Sequence, residues 1–343
     1  MIIQRYVWAI CIGLGGVVLL PRMIQGQTSN SQIDPEVVAA WKAYDEFAQR
    51  LQGSKTSTYR DQLTGRMIVR KRQYCQNLAG ALIRRIPVEG NHDEGEEVLV
   101  QNRQYNFEVR STQPNVYRLV TYNPDPTAPL LLCTVPVRDA IFVDINPHYC
   151  FGYRRLWQIF DVSSNVKVQQ SRRVPTPQGE RYRIDFDGEY ALPGDKDTRR
   201  VRGYLLLDPN RKWCIERAEY KEWSMLDGKP SYELDYVTEY FTKVHASGFP
   251  LVIREVVQSK GYSPRLERKL DRVEEKVYEI ELSTDDDEAP FLLSAFGLPE
   301  PVGVVWEKKT PVYGWLLLAA GALGMLALLF RWLAQRQQRR SGG

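Results

Sequence analysis

Histidine is nearly missing from this chain of 343 residues, and much familiar catalysis goes with it. The three that occur, His92, His148 and His245, stand far apart, and none has H-x-x-x-H or H-E-x-x-H spacing, so no ready-made zinc site is encoded. Each reads as a solvated or packed side chain. No C-x-x-C occurs, which removes the usual zinc ribbons and thioredoxin-like redox chemistry. The soluble region has no G-x-S-x-G elbow, no P-loop and no dinucleotide-binding glycine fingerprint. A strong excess of one charge is also lacking: the formal net charge is +4, and nothing calls for a nucleic-acid partner. These absences lead us to expect a protein that is not an enzyme and that has neither metal nor cofactor.

Cysteine is sparse. Cys11 falls in the N-terminal apolar segment, which leaves Cys75, Cys133, Cys150 and Cys214. Two readings stay open: one or two disulfides, in any of three pairings, or buried free thiols. Cys150 follows His148 by two residues, but adjacency along the chain does not make a catalytic dyad.

What the chain does have is concentrated first at its ends. Tyr6 to Leu20 is an uncharged apolar run behind Arg5, with Gly26 as a cleavage position; this is the build of a secretory signal. Val312 to Phe330 is a second such run, flanked by Tyr313, Trp315 and Trp332 and followed by Arg331, Arg336, Arg339 and Arg340. At about 1.5 Å per residue its length matches a hydrocarbon core of about 30 Å, and the arginines should stay cytoplasmic. The expected organisation is a signal peptide at 1–26, a flexible leader at 27–33, a folded domain at 34–299, a linker at 300–311, a transmembrane helix at 312–332 and a basic tail at 333–343. The expected location is the inner membrane, crossed once, with the main domain in the periplasm or extracytoplasmic space. Pro299-Glu300-Pro301 ahead of the span resembles a PEP-CTERM sorting signal, but Glu307, Lys308 and Lys309 separate the two, and a permanent anchor is expected.

The middle region opens with a helix. Asp34 caps it, Pro35 suits its first turn, Gly53 is placed to end it, and Val37, Trp41, Tyr44, Ala48 and Leu51 form one apolar stripe. Beyond Gly53 the period changes to two. Tyr105, Phe107 and Val109 alternate with polar neighbours, as do Tyr117, Leu119 and Thr121, then Tyr182, Ile184 and Phe186. The longest case runs through Tyr232, Leu234, Tyr236, Thr238, Tyr240, Thr242 and Val244. Turn signals at Asn123 to Pro126, Pro175 to Gly179, Asp208 to Asn210, Asp227 to Pro230 and Gly248 to Pro250 separate the strands. Such strands form an antiparallel sheet with one face on a core or cavity and the other in water. Tyr153, Leu156, Trp157 and Phe160 predict a short helical insert opened at Asn146-Pro147, and a strand is expected from about Val273. The fold class is α+β, mainly antiparallel β.

Acidic runs at Asp285 to Glu288 and around His92 to Glu97 lack the spacing of a calcium loop and read as solvated turns. The arginine pairs Arg84-Arg85, Arg154-Arg155, Arg172-Arg173 and Arg199-Arg200 are interspersed with acids and read as mixed surface charge.

The order "strand ending in Asp, turn, strand, long strand, Gly-x-Pro, strand" is carried by Gly203 to Asp208, Trp213 to Glu216, Tyr232 to Val244 and Gly248 to Val252. With the single N-terminal helix, it resembles the LolA-like superfamily, which includes the LolA and LolB lipoprotein carriers and the N-terminal domain of RseB-type regulators. The segment Phe291 to Pro301 resembles the end of a group of exported bacterial proteins with one C-terminal membrane helix. The resemblance implies an incomplete β-barrel whose concave side, covered by helices, holds an apolar ligand or a lipoprotein. An RseB-like role would instead give another envelope protein as partner. The candidate cavity-lining residues are Tyr182, Ile184, Phe186, Tyr232, Leu234, Tyr236 and Tyr240, with Trp41 and Tyr44 from the helix. A plain sheet core packed by that helix remains the competing reading for the same residues.

Overall fold

Chain order explains nearly all of the pairing in this protein. The computed structural model describes residues 32–87, 95–113, 115–130, 133, 135–149, 151, 154–161, 164–191, 198–226, 229–264, 267–302, 323 and 325. Thirteen antiparallel strands make one sheet. The first six are β1 (Leu51–Asp61), β2 (Met67–Gln76), β3 (Gly80–Ile86), β4 (Glu96–Asn102), β5 (Asn106–Gln113) and β6 (Val116–Asn123), each paired with the next. The other seven are β7 (Val166–Thr176), β8 (Gly179–Ala191), β9 (Thr198–Asp208), β10 (Cys214–Leu226), β11 (Lys229–Val244), β12 (Pro250–Ser263) and β13 (Arg268–Leu282), paired in the same way. One long-range seam, β1 against β13, joins the two meanders. The edges of the sheet are therefore β6 and β7, which are consecutive in sequence and not paired with each other, and the sheet stays open.

The seam requires a glycine. Gly53 pairs with Ile280 and has φ of 149°, a conformation that side chains rarely adopt. A Cβ there would come within 1.9 Å of the Glu279 carbonyl oxygen. Gly53 was expected to end the first helix. Instead α1 (Pro35–Phe47) runs through one 3-10 turn at Ala48–Arg50 straight into β1. The glycine sits inside the strand, where two backbones approach closely.

The connection between the two edge strands, residues 124–165, carries α2 (Val137–Ile145) and α3 (Leu156–Ile159). The sequence reading anticipated α3 but not α2, and Asn146 caps the end of α2 rather than opening the insert. α1, α2 and α3 pack on one face of the sheet, here called inner. Val37, Trp41 and Tyr44 of α1 and Ile141 and Ile145 of α2 are buried against Ile184, Leu205 and Ile215 and against Ala81, Ile83 and Leu99. The first turn of α1 is fixed by Asp34, whose carboxylate accepts the Glu36 N–H at 2.9 Å.

On the other face, over β3–β5, lies a second apolar layer. Leu82, Val100 and Phe107 are cross-strand neighbours and point away from α2. They are covered by the tail that follows β13. Phe291, Leu293 and Phe296 of that tail are buried, and Phe296 meets Phe107 and Tyr117 edge-on, with ring centres 5.7 and 5.2 Å apart. Asn102 donates its amide to the Phe291 carbonyl at 2.9 Å, and Asn77 donates to the carbonyls of Asp285 and Asp287 at 3.0 Å. The acidic run therefore forms the turn that delivers the tail, and Asp286 pairs with Arg50 at 3.0 Å.

Residues Met1–Pro299 form one compact unit and Glu300–Gly343 another. Among the described residues, no helix is long and apolar enough to cross a membrane. The expected signal segment, and the expected span apart from Leu323 and Met325, lie outside the described residues. Cys75, Cys133 and Cys214 carry free thiols; Cys150 and His92 lie outside the described set.

Candidate ligand cavity on the inner face

The helix α2 presents two surfaces. Val137, Ile141 and Ile145, at steps of four, drive it onto β3 and β4. Ala140, Val143 and Asp144, at steps of three and four, line a cavity of about 370 Å³ between α2 and the sheet. Ile83, Val135, Ile145 and Val252 extend its apolar wall, and Arg72, Glu255, Lys276, Tyr240 and Tyr278 form the polar one. Its volume falls in the range of roughly 300–1,000 Å³ seen for small-ligand sites. A wider groove of about 930 Å³ crosses β1–β3 and β13, lined largely by polar side chains such as Gln52, Lys71, Gln73, Arg84 and Glu281. The cavity under α2 is the better enclosed of the two, and its lining is mixed, with polar and apolar walls.

The polar wall is a buried ionic network. Asp144 lies in the last turn of α2, where the helix dipole opposes a carboxylate. Burial adds to that cost, yet the charges of Lys55 and Arg72 hold its carboxyl well below the usual range. Lys55 reaches it at 2.8 Å, Tyr74 donates its hydroxyl at 2.8 Å, and Arg72 completes the shell. Burial pulls the Lys55 ammonium below its ordinary value despite Asp144. One strand pair away, Glu255 accepts from Lys276 at 2.9 Å and from Tyr278 at 2.7 Å. Burial alone would lower the pKa of Lys276, but Glu255 and Glu274 hold it above the lysine norm. Burial, reinforced by the neighbouring carboxylates, raises both tyrosines well above 10.

Alternation places the sequence candidates on this inner face in three groups. Tyr240 lines the cavity and donates its hydroxyl to the Tyr149 carbonyl. Trp41, Tyr44, Tyr182, Ile184 and Phe186 are packed around α1. Trp41 donates its indole N–H to the Trp213 carbonyl at 3.0 Å, and the Tyr182 hydroxyl accepts the Asp34 N–H at 3.2 Å. Tyr44 stands edge-on to His148 at 4.8 Å. His148 bonds through Nε2 to the Lys212 carbonyl at 3.1 Å, and burial depresses its pKa to about 3.

Tyr232, Leu234 and Tyr236 lie farther along β11, in an aromatic floor. Tyr236 stacks on Tyr220 at 4.9 Å, and Tyr232 and Tyr190 both donate to the buried Glu222, which Arg199 also approaches at 3.5 Å. Tyr190, Tyr220 and Glu222 were not among the sequence candidates, nor were Lys55, Arg72, Glu255 and Lys276. A signal for Lys276 did exist: carrying the Tyr278, Ile280, Leu282 alternation back by two residues puts it on the same face.

No protein-family model and no curated protein matches the chain. Similar solved structures include a DUF1329-family protein from Desulfovibrio piger, with 10% identity, a TM-score of 0.40, and coverage of 77% of this chain and 100% of that one. A putative outer-membrane lipoprotein-sorting protein domain from Vibrio parahaemolyticus has 10% identity, a TM-score of 0.35, and coverage of 77% and 97%. A LolA-superfamily protein from Nitrosomonas europaea has 9% identity, a TM-score of 0.39, and coverage of 76% and 98%. The superfamily that the strand pattern resembles is thus among them. At these identities and TM-scores they lend nothing to function, which is read from the cavity's own geometry.

Proposed function

We propose that the chain is a membrane-anchored extracytoplasmic binding module for a lipid, a lipoprotein or another apolar ligand, and that it is not an enzyme. The reading is supported by one observation above the others: a partly enclosed cavity between α2 and the inner face of an open sheet, with an apolar wall formed by Ile83, Val135, Ala140 and Val143. A helix lying across an open sheet makes a cover that separates ligand from water. The anchor in this reading is Val312 to Phe330, with the domain held on the periplasmic side. The test is extraction and mass spectrometry of what copurifies with the full chain, against an unrelated single-span protein as control. The reading expects a discrete amphiphile enriched over the control; a lipid profile identical to the control contradicts it.

A second reading, a sensor or assembly protein that binds another envelope protein, draws on the edge strand β6. Val116, Leu119, Val120 and Tyr122 are exposed there, and among the described residues β6 pairs only with β5. An apolar unpaired edge suits addition of a partner's strand. Crosslinking in intact membranes that recovers one specific protein through β6 would favour it.

A further inference from the structure

We infer that the cavity under α2 takes its ligand by an anionic end, a carboxylate or a phosphate group carried on a hydrocarbon chain. This rests on the binding-module reading and sharpens it. Both oxygens of Asp144 are engaged, one by Lys55 and the other by Arg72 and Tyr74. Both oxygens of Glu255 are engaged, one by Lys276 and the other by Tyr278. The acceptors on the wall are thus already committed.

The donors are not. A guanidinium carries five N–H groups and an ammonium three. Arg72 is engaged by Asp144 and by the Tyr74 hydroxyl beside it, fewer partners than its five N–H groups. Lys276 bonds Glu255 at 2.9 Å, while its other carboxylate neighbour, Glu274, stands at 3.9 Å. Arg85 also lines the cavity and pairs with Glu97 at 3.2 Å. The network therefore sets three cations, the buried Lys55 and the partly buried Arg72 and Lys276, against two carboxylates, Asp144 and Glu255. Glu274 is 35% exposed, so water screens its share of the balance. An uncompensated buried charge is costly, and an anion that supplies both the missing charge and the missing acceptors relieves it. Ile83, Val135, Ala140, Val143 and Val252 give the same cavity an apolar wall, which a free anion would leave without a partner, while a neutral chain would leave the N–H groups without one.

The experiment uses the full chain in nanodiscs of zwitterionic phosphatidylcholine, labelled by a photoreactive diazirine fatty acid, with crosslinks mapped by mass spectrometry. Competitors are dodecanoate, dodecyl phosphate, methyl dodecanoate, acetate and inorganic phosphate. Labelling should map to residues 133–149. Dodecanoate or dodecyl phosphate should displace it at about tenfold or more lower concentration than methyl dodecanoate, the worth of a charge-assisted hydrogen bond. The stronger of those two identifies the headgroup chemistry. Arg72→Gln should shrink the acid-to-ester ratio toward unity. If that variant does not fold, the ratio on the unaltered chain decides alone. Equal competition by acid and ester overturns the inference and leaves the apolar-ligand reading standing. Acetate or phosphate competing as well as dodecanoate overturns the amphiphile. Labelling that never reaches α2 overturns both the inference and the reading it rests on.

Discussion

The two meanders of this sheet bury their strands by different rules. In the first, β3 and β4 are covered on both faces, by α2 on the inner side and by the Phe291 to Phe296 tail on the outer. Their sequences read accordingly as unbroken apolar runs, Ala81-Leu82-Ile83 and Val98-Leu99-Val100, all buried. In the second meander the outer face is wet and laced with ion pairs such as Lys221 to Glu233 at 2.8 Å and Arg217 to Glu239 at 2.9 Å. Its inner face is aromatic and polar, with Tyr220, Tyr236 and Glu222. Double coverage marks the strands built for stability, β3 and β4. The proposed ligand site lies where the two meanders meet, between Arg72 of β2 and Glu255 and Lys276 of β12 and β13.

The sharpest way to break this comparison is to remove the tail's anchor. Phe291→Ala, fully buried in the wild type, should cost about 4 kcal/mol, in line with large-to-small core changes. Denaturant unfolding measures the loss, and hydrogen exchange should place it in β3–β5 with β8–β11 unaffected; loss spread evenly over both meanders would erase the distinction. Next is Asp144→Asn, which leaves Lys55 buried without its carboxylate. About 3 kcal/mol is expected by analogy with broken buried pairs, read from the same curves, with no comparable cost from a surface acid such as Glu233.

The connection between the two meanders makes its own prediction through His148, which stands against Tyr44 of α1. Its folded pKa of about 3 lies below the unfolded value of about 6.5. Between those values the unfolded chain binds a proton that the native chain refuses. This part of the stability is therefore whole above about pH 6.5 and drains as pH falls, by about 2 kcal/mol at about pH 5. His148→Leu should flatten that slope in a pH series of denaturation curves, whereas Asp144 acts lower, below about pH 4, where its carboxyl would be protonated in the unfolded chain. Smallest is Arg254→Ala on the outer face. Its partner Glu275 stands 2.7 Å away, but both are nearly half exposed, so the change should stay within about 0.5 kcal/mol.

The same contrast explains what could be read from the sequence. Strands of the second meander were legible because one face is wet: alternation drew Tyr182 to Phe186 and Tyr232 to Val244 as strands, and the turn signals Pro175 to Gly179, Asp208 to Asn210 and Gly248 to Pro250 span the junctions between strands. β3 and β4 left no period, since both faces are apolar, and α2 was passed over although Val137, Ile141 and Ile145 carry the step of four. Gly53 looked like a helix stop by local rules. Its actual role depends on a partner strand more than 200 residues away, the Glu279 carbonyl. The ionic wall was the hardest part, because Lys55, Arg72 and Lys276 look in sequence like any solvated strand positions; only α2 laid over them, with Asp144 at its end, buries them.

The account depends most on α2 being the cover of an occupied space. Hydrogen–deuterium exchange of the full chain in nanodiscs, with and without dodecanoate, tests this directly. Protection should rise in residues 135–149 and in the strand segments around Arg72 to Tyr74 and Lys276 to Tyr278, while the Phe291 to Phe296 tail stays unchanged. Unaltered exchange under α2, with or without protection elsewhere, would contradict it.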